Sequence, residues 1–168
     1  MLFNSYYFIL IFLPVSITVY FFFNKKNISW IVLLGFSLFF YSFYRFEYLF
    51  LILTSIFFNY FLAIRMIRSN PLKKKKIFYL GLFINLLILG YFKYTNFFLQ
   101  NINTYFETNF EFQNIILPLA ISFFTFQQIA FLSDILKNKI KGLSLLKYIL
   151  FITFFPQLIA GPIVRYNN

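Results

Sequence analysis

The side chains that most enzymes use for acid–base and nucleophilic chemistry are scarce in this chain. Its 168 residues contain no Cys and no His, which excludes a thiol nucleophile and removes the commonest general base and metal ligand. Its serines therefore have no His to activate them, and no Gly-x-Ser-x-Gly turn is present. The carboxylates are those of Glu47, Glu107, Glu111 and Asp134. No two of them form a convincing acid–base pair, so the residues alone predict no catalytic group and no metal site.

Polar side chains inside long apolar runs are the more informative candidates, because each is costly in a lipid environment. Asn59 and Asn85 occupy two such runs, and the interpretation favoured over a substrate path is a hydrogen bond between helices. In a later run, Ala120, Gln127 and Asp134 are spaced seven residues apart, which predicts one stripe on a helix. Two interpretations of Asp134 are open: it pairs with a basic residue at the membrane boundary, or it lines a polar passage.

The composition predicts a membrane protein. Apolar residues make up 61% of the chain, aromatic residues 26% and charged residues only 11%. Soluble domains carry about 25% charged residues, so this surface is suited to lipid. The formal charge of +11 does not indicate a nucleic-acid partner, because the basic residues are scattered between apolar runs instead of forming one surface.

Six apolar runs organise the chain. They are Tyr6–Phe23, Ile28–Tyr44, Tyr48–Ile64, Ile77–Phe92, Leu117–Leu136 and Leu143–Val164. Pro118 suits the first turn of the fifth run, whereas Pro156, Gly161 and Pro162 interrupt the sixth. The prediction is an all-α, polytopic transmembrane helix bundle forming one region over residues 1–168. It has about five full spans followed by a broken or re-entrant C-terminal segment.

The basic residues predict that the N-terminus lies outside. With that orientation the inner connections hold twelve Lys and Arg residues and the outer ones two. The twelve are Lys25, Lys26, Arg65, Arg68, Lys73 to Lys76, Lys137, Lys139, Lys141 and Lys147, and the two are Arg45 and Lys93. Such an excess follows the positive-inside rule. The run Lys73–Lys76 is interpreted as part of a solvated inner loop, and the outer stretch after Lys93 as containing a short helix in the membrane interface.

Three blocks of sequence resemble the membrane-bound O-acyltransferases, in the branch of alginate O-acetyltransferases and peptidoglycan O-acetylating proteins. They are GYFKYTNFF at 90–98, LPLAISFFTFQ at 117–127 and FFPQLIAGPIVRY at 154–166. The blocks occur in the family's order, and the resemblance runs along nearly the whole chain. One departure is Ala120, where the similar sequences carry Gly.

The resemblance implies a function for a longer protein. An acetyl group from a cytoplasmic donor such as acetyl-CoA would pass to hydroxyls of an envelope polysaccharide or peptidoglycan. An extracytoplasmic partner acyltransferase would assist, and the site would be the bacterial cytoplasmic membrane. The family's catalytic His belongs to a C-terminal half that this sequence does not include, so the chain alone is expected to be inactive. Gln127, Asp134, Gln157 and Arg165 are candidates to line or orient a channel, with a bend at Pro156, Gly161 and Pro162.

Two other classes of function are weighed against this one. The first is a small non-enzymatic membrane protein, either a gene remnant or an accessory subunit. The second is a transporter, which is disfavoured because few ionisable groups lie inside the apolar runs and no inverted repeat is evident.

Overall fold

A computed structural model describes residues 5–24, 28–113, 115–140, 142–160 and 166 of the chain, and these ranges contain helices and no strand. A short π-helical segment, Phe8–Phe12, leads into the first α-helix. The helices are α1 (Leu13–Asn24), α2 (Ser29–Tyr44), α3 (Phe46–Ile67), α4 (Pro71–Phe106), α5 (Ile121–Leu136), α6 (Leu145–Thr153) and α7 (Phe155–Ala160). Arg165, Gly161 and Pro162 lie outside the described residues. The predicted all-α class is confirmed.

Each predicted apolar run contributes at least one helix, but the helices differ in length. By length and composition, α3 and α4 are able to cross a membrane. The shorter apolar helical stretches are Phe8–Phe23, Ser29–Phe43, Ile121–Leu136 and Leu145–Gln157. The number of spans and their orientation therefore stay predictions.

The start of α4 corrects the interpretation of Lys73–Lys76 as a loop, because all four lysines lie in the first turns of this helix. Asn70 caps the helix, since its side-chain oxygen accepts a hydrogen bond from the Lys73 backbone N–H at 3.0 Å. Pro71 follows at the first helical position, where its missing N–H costs nothing. The Asn-Pro pair therefore sets the helix start six residues before the predicted apolar run.

The far end of α4 corrects a second prediction. The helix runs without interruption for 36 residues to Phe106, about 54 Å at 1.5 Å per residue. Lys93 therefore lies inside the helix, and no separate interfacial helix is present in the described part of this stretch. The prediction failed because the polar residues around position 100 were interpreted as the end of a membrane-spanning helix. Polar residues are equally compatible with a helix that simply continues.

The chain after α4 folds back along the end of that helix. The Asn96 side chain exchanges two hydrogen bonds with the backbone of Gln113, at 2.8 and 3.0 Å. Asn103 does the same with the backbone of Phe110, at 2.9 Å for both bonds. Seven helical residues rise about 10 Å, which is the length of about three extended residues. The spacing of the two asparagines on α4 therefore matches the spacing of their partners in the returning segment.

The fifth helix begins later than its apolar run. The helix starts at Ile121, so Pro118 precedes it. The prediction that Pro118 lies in the first turn is therefore wrong. The reason is Ala120, whose φ of 55° is left-handed and ends any helical path arriving from Pro118. This conformation costs an L-residue other than Gly about 1–2 kcal/mol. A Gly at this position, which the family resemblance leads us to expect, would adopt this φ without that cost.

The main core lies between α3, α4, α5 and α6. Gly81 of α4 allows the closest approach: a Cβ atom there would be 2.7 Å from Leu132 Cδ1 and 2.9 Å from Leu62 Cδ1. A second cluster joins the N-terminal helices to α7 through four buried rings, which are those of Phe8, Phe12, Phe40 and Phe155. Within this core, α5 packs between α3 and α4 on one side and α6 on the other.

One end of the bundle, called the basic end below, is where α3 and α5 finish and α4 begins. There Lys74 Nζ donates a hydrogen bond to Asn138 Oδ1 at 2.6 Å. Asn138 has a φ of 56°, its N–H donates to the Ile135 carbonyl at 2.9 Å, and the N–H of Lys139 donates to the Asp134 carbonyl at 2.9 Å. These two backbone bonds form a Schellman cap on α5. The connections after α3 and after α5 therefore meet at the basic end of the bundle. Both were predicted to lie on the same side of the membrane.

Candidate functional site

The centre of the bundle contains a buried layer of side-chain amides. Asn59 Nδ2 donates to Asn85 Oδ1 at 3.2 Å, and Asn85 Nδ2 donates back to Asn59 Oδ1 at 2.7 Å. Gln128 Oε1 accepts from Asn59 Nδ2 at 2.8 Å and from the Ser55 hydroxyl at 2.7 Å. The layer links α3, α4 and α5, and the relative exposure of its members is 5% or less. The predicted hydrogen bonds between helices are confirmed for Asn59 and Asn85.

We call these four residues, Ser55, Asn59, Asn85 and Gln128, the amide layer. Its hydrogen bonds determine which faces of α3, α4 and α5 meet, which apolar packing alone does not. In lipid the hydrophobic effect does not drive helices together, so side-chain hydrogen bonds and close packing determine which faces meet. Asn59 and Asn85 each also donate to the carbonyl four residues earlier on their own helix. Every side-chain polar atom of the layer except Gln128 Nε2 has a partner, and pairing is the usual state of buried amides in a folded core.

The neighbouring residue, Gln127, is equally buried and has no partner. Its relative exposure is 1%, yet neither Nε2 nor Oε1 makes a hydrogen bond. Leaving a buried polar group unpaired costs about 1–3 kcal/mol. Groups left in this state are often explained by a role in binding or catalysis.

Gln127 lies one helical turn before an aromatic contact between α5 and α6. Phe131, one turn further along, stacks on Tyr148 of α6 with ring centroids 4.1 Å apart. The Tyr148 hydroxyl is also fully buried without a hydrogen-bond partner. The unpaired Tyr148 phenol therefore belongs to this aromatic contact, and the unpaired Gln127 amide lies one helical turn from it on α5. Together they offer N–H and O–H donors and an amide acceptor.

Asp134 continues the stripe of Gln127 two turns further toward the basic end. It is 7% exposed. Among the described residues, no basic side chain lies within 4 Å of the Asp134 carboxylate. The ion pair found in this part of the chain joins Arg45 to Glu47 instead. The pairing of Asp134 with a basic residue therefore stays a prediction. The third member of the predicted stripe, Ala120, precedes α5 and does not belong to it, which corrects the three-residue stripe to two.

The candidates near the C-terminus are divided between described and undescribed residues. The helix break between α6 and α7 falls at Phe154, whose ψ of 106° leaves the helical region, and Pro156 follows in α7. Gln157 is half-buried in α7. Arg165, Gly161 and Pro162 lie beyond α7 and outside the described residues. The structure thus brings Gln127 and Asp134 onto one helix face and leaves the other candidate positions untested.

Four residues of this region were missed by sequence reasoning: Ser55, Gln128, Tyr148 and Lys74. Ser55 and Asn59 are four residues apart on one helix, a signal that was available for Ser55. The seven-residue spacing to Asp134 favoured Gln127, and no comparable signal marked Gln128. In the described part of the chain, no group of three or more acidic, His or Cys side chains could hold a metal ion. The groups present can bind and orient a polar ligand.

Comparison with known proteins gives matches over the whole chain. The peptidoglycan O-acetyltransferase of Helicobacter pylori is 43% identical over 200 residues, which cover 100% of this chain and 38% of the relative. A probable alginate O-acetylase of Pseudomonas aeruginosa is 32% identical over 178 residues, covering 100% of this chain and 34% of the relative. The corresponding protein of Azotobacter vinelandii is 30% identical, covering 100% and 35%. The chain thus spans little more than a third of these relatives. No family model and no solved structure matches it.

Proposed function

Because the chain is related along its whole length to the membrane-bound O-acyltransferases of the alginate O-acetyltransferase branch, we propose that it forms part of such an enzyme. The enzyme would transfer an acetyl group from a cytoplasmic thioester donor to hydroxyls of an extracytoplasmic polysaccharide or peptidoglycan. The observation that carries this proposal is the 43% identity to a peptidoglycan O-acetyltransferase over 100% of the chain. The transfer forms an ester at the acceptor oxygen and releases the donor thiol, while a general base takes the acceptor proton.

Within that enzyme, residues 1–168 form a single transmembrane region in the bacterial cytoplasmic membrane, with the N-terminus outside. The meeting of Lys74 with Asn138 at the basic end supports this orientation, because it brings together two connections rich in Lys and Arg. The acceptor glycan, an acyl donor such as acetyl-CoA and a partner acyltransferase outside the membrane are part of the same proposal. The general base belongs to another part of the enzyme, since this chain has no His.

The contribution of this chain to the reaction is to line and orient a polar path. Gln127, Asp134, Gln157 and Arg165 are the proposed lining groups. The support is strongest for Gln127, whose buried amide has both a free donor and a free acceptor. An amide in this state can hold an acceptor hydroxyl or a carbonyl oxygen without first breaking another hydrogen bond.

A chimaera tests the proposal. This chain would replace the matched segment of the Helicobacter pylori peptidoglycan O-acetyltransferase in a strain that lacks that enzyme, and base-labile acetate would be measured on purified peptidoglycan. We expect acetate to return, because the two segments align end to end. A parallel exchange into the Pseudomonas aeruginosa relative, with alginate acetate as the readout, compares the two acceptors.

The matched variants are Gln127→Leu and Gln128→Leu in the chimaera. Losing one hydrogen bond to the reacting groups costs about 1.4 kcal/mol, or tenfold in rate, so Gln127→Leu should lower acetate about tenfold without lowering the amount of protein. Gln128→Leu should lower the amount of protein, and acetate in proportion. A chimaera that accumulates normally in the membrane but forms no ester in either host would refute the enzymatic role and favour an accessory membrane protein.

A further inference from the structure

A groove of about 310 Å³ opens at the basic end, between α3 and the residues that precede α6. Tyr60, Ile64 and Ile67 form its long wall. These residues are four and three positions apart, so they lie on one face of α3. Leu143, from the segment before α6, and Arg68, which follows α3, complete the lining. The groove therefore combines apolar side chains with one guanidinium group.

The charge around the groove is positive and nearly unopposed. Three of the four acidic residues lie at the opposite ends of the helices from the groove. Glu47 is in the first turn of α3, and Glu107 and Glu111 follow α4. The fourth, Asp134, is at the basic end but only 7% exposed. Exposed basic side chains at this end, besides Arg68, are those of Arg65, Lys73, Lys75, Lys76, Lys137 and Lys147. Charge complementarity thus selects an anion.

The exposed apolar surface beside the groove favours an anion that also carries an apolar chain. Phe61 and Ile67 of α3 are 52% and 42% exposed. The Arg65 guanidinium lies over the Phe61 ring at 4.8 Å, which places a cation directly above an apolar surface. This order of an apolar surface followed by cations reproduces the change from acyl chains to headgroups at a membrane boundary.

We propose that this groove binds one anionic phospholipid, with its phosphate on Arg68 and the start of an acyl chain along Tyr60 and Ile64. Arg suits this role because its planar fork makes two parallel hydrogen bonds to phosphate. The lipid links two parts of the bundle, since α3 supplies one wall and Leu143 the other. Tyr60 also stacks on Tyr148, with ring centroids 5.8 Å apart. Occupancy therefore stabilises the contact between α3 and α6.

The test measures lipid binding to the purified 168-residue chain in detergent by native mass spectrometry. Phosphatidylglycerol and phosphatidylcholine with identical acyl chains are the two probes. We expect the anionic lipid to bind about tenfold more tightly and Arg68→Gln to remove that preference. Lys75→Gln is the matched control, because it removes one exposed charge from the same end while Lys75 lies over Tyr79 of α4, away from the groove. Arg68→Lys, which keeps the charge and loses the fork, should fall between.

Several outcomes would overturn the proposal. Equal binding of the two lipids would show that no phosphate site exists, and equal losses from Arg68→Gln and Lys75→Gln would show only diffuse attraction. Displacement of phosphatidylglycerol by acetyl-CoA or by inorganic phosphate would assign the groove to a soluble phosphate-bearing ligand. Leu143→Trp provides a test that leaves the charge unchanged: it fills the groove and should weaken binding of the anionic lipid. Unchanged binding in that variant would move the lipid elsewhere.

Discussion

The two faces of α5 place adjacent glutamines in opposite situations. Gln128 faces α3 and α4, where its oxygen accepts from Ser55 and Asn59. Neither amide atom of Gln127 has a hydrogen-bond partner, whereas in Gln128 only Nε2 is unpaired, although both side chains are at most 1% exposed. The residue type and the burial are the same, and the difference is that the Gln128 oxygen meets donors from α3. The comparison separates a polar group that holds the fold together from one that weakens it.

The difference indicates which side of α5 is built for stability. On the α3–α4 side, a glycine permits close contact and the amide layer is nearly satisfied. On the α6 side, the helix contact is aromatic, and the polar groups beside it are unpaired. A buried polar group that is left unpaired in a folded protein calls for an explanation, and a role in binding or catalysis is one. The predictions below follow this contrast from the largest expected effect to the smallest.

Filling the close contact on the α3–α4 side should have the largest effect. Gly81→Leu places a side chain where even a Cβ atom is 2.7 Å from Leu132 Cδ1. Overpacking of this kind costs about 2–3 kcal/mol. Gly90→Leu is the control on the same helix, since a Cβ at Gly90 has no neighbour within 4 Å. SDS-induced unfolding in mixed micelles measures both, and similar values for the two variants would show that helix propensity, not close packing, dominates.

Breaking the amide layer should cost somewhat less. Asn59→Leu removes the partner of Asn85 Oδ1 and lowers the free energy of unfolding by about 1–2 kcal/mol. The double variant Asn59→Leu/Asn85→Leu should recover part of this loss, because the Asn85 amide is then no longer left without its Asn59 partner. Losses that simply add in the double variant would mean that the two side chains do not interact.

Replacing the two glutamines in turn tests the comparison itself. Gln127→Leu should raise the free energy of unfolding by about 1 kcal/mol, since it removes an unpaired buried amide of similar volume. Gln128→Leu should lower it by about 1 kcal/mol, because Ser55 and Asn59 lose their acceptor. Thermal unfolding followed by circular dichroism gives both signs. If both variants shift stability in the same direction, the two faces of α5 do not differ as proposed.

The smallest effect is expected at the start of α5. Ala120→Gly should stabilise the protein by about 0.5–1 kcal/mol. The left-handed φ of 55° no longer costs 1–2 kcal/mol, and part of that gain is offset by the entropy of the unfolded glycine. Ala63→Gly, at a buried helical position, should destabilise instead. Melting temperatures of the two variants decide the matter, and a loss of stability in both would exclude strain at Ala120.

Several features could be predicted from the sequence because they depend on local averages. The apolar runs predicted an all-helical chain, since hydropathy is summed over many residues and tolerates single exceptions. Asn59 and Asn85 were recognised as hydrogen-bonding residues because a polar amide in an apolar run requires a partner wherever it lies. The boundaries were less well predicted, as α4 and the start of α5 show, because capping at Asn70 and backbone strain at Ala120 override hydropathy.

By itself, the sequence determined that this protein is helical and rich in lipid-compatible surface, that a few amides are buried in it, and that it contains no His or Cys for catalysis. Only the tertiary structure decided which amides meet. The seven-residue spacing to Asp134 singled out Gln127 in the sequence, but nothing there showed that the oxygen of Gln128, 100° further around the helix, meets Ser55 and Asn59 of α3. Partner choice depends on where neighbouring helices cross, and that depends on contacts between residues far apart in the chain, such as Gly81 and Leu132.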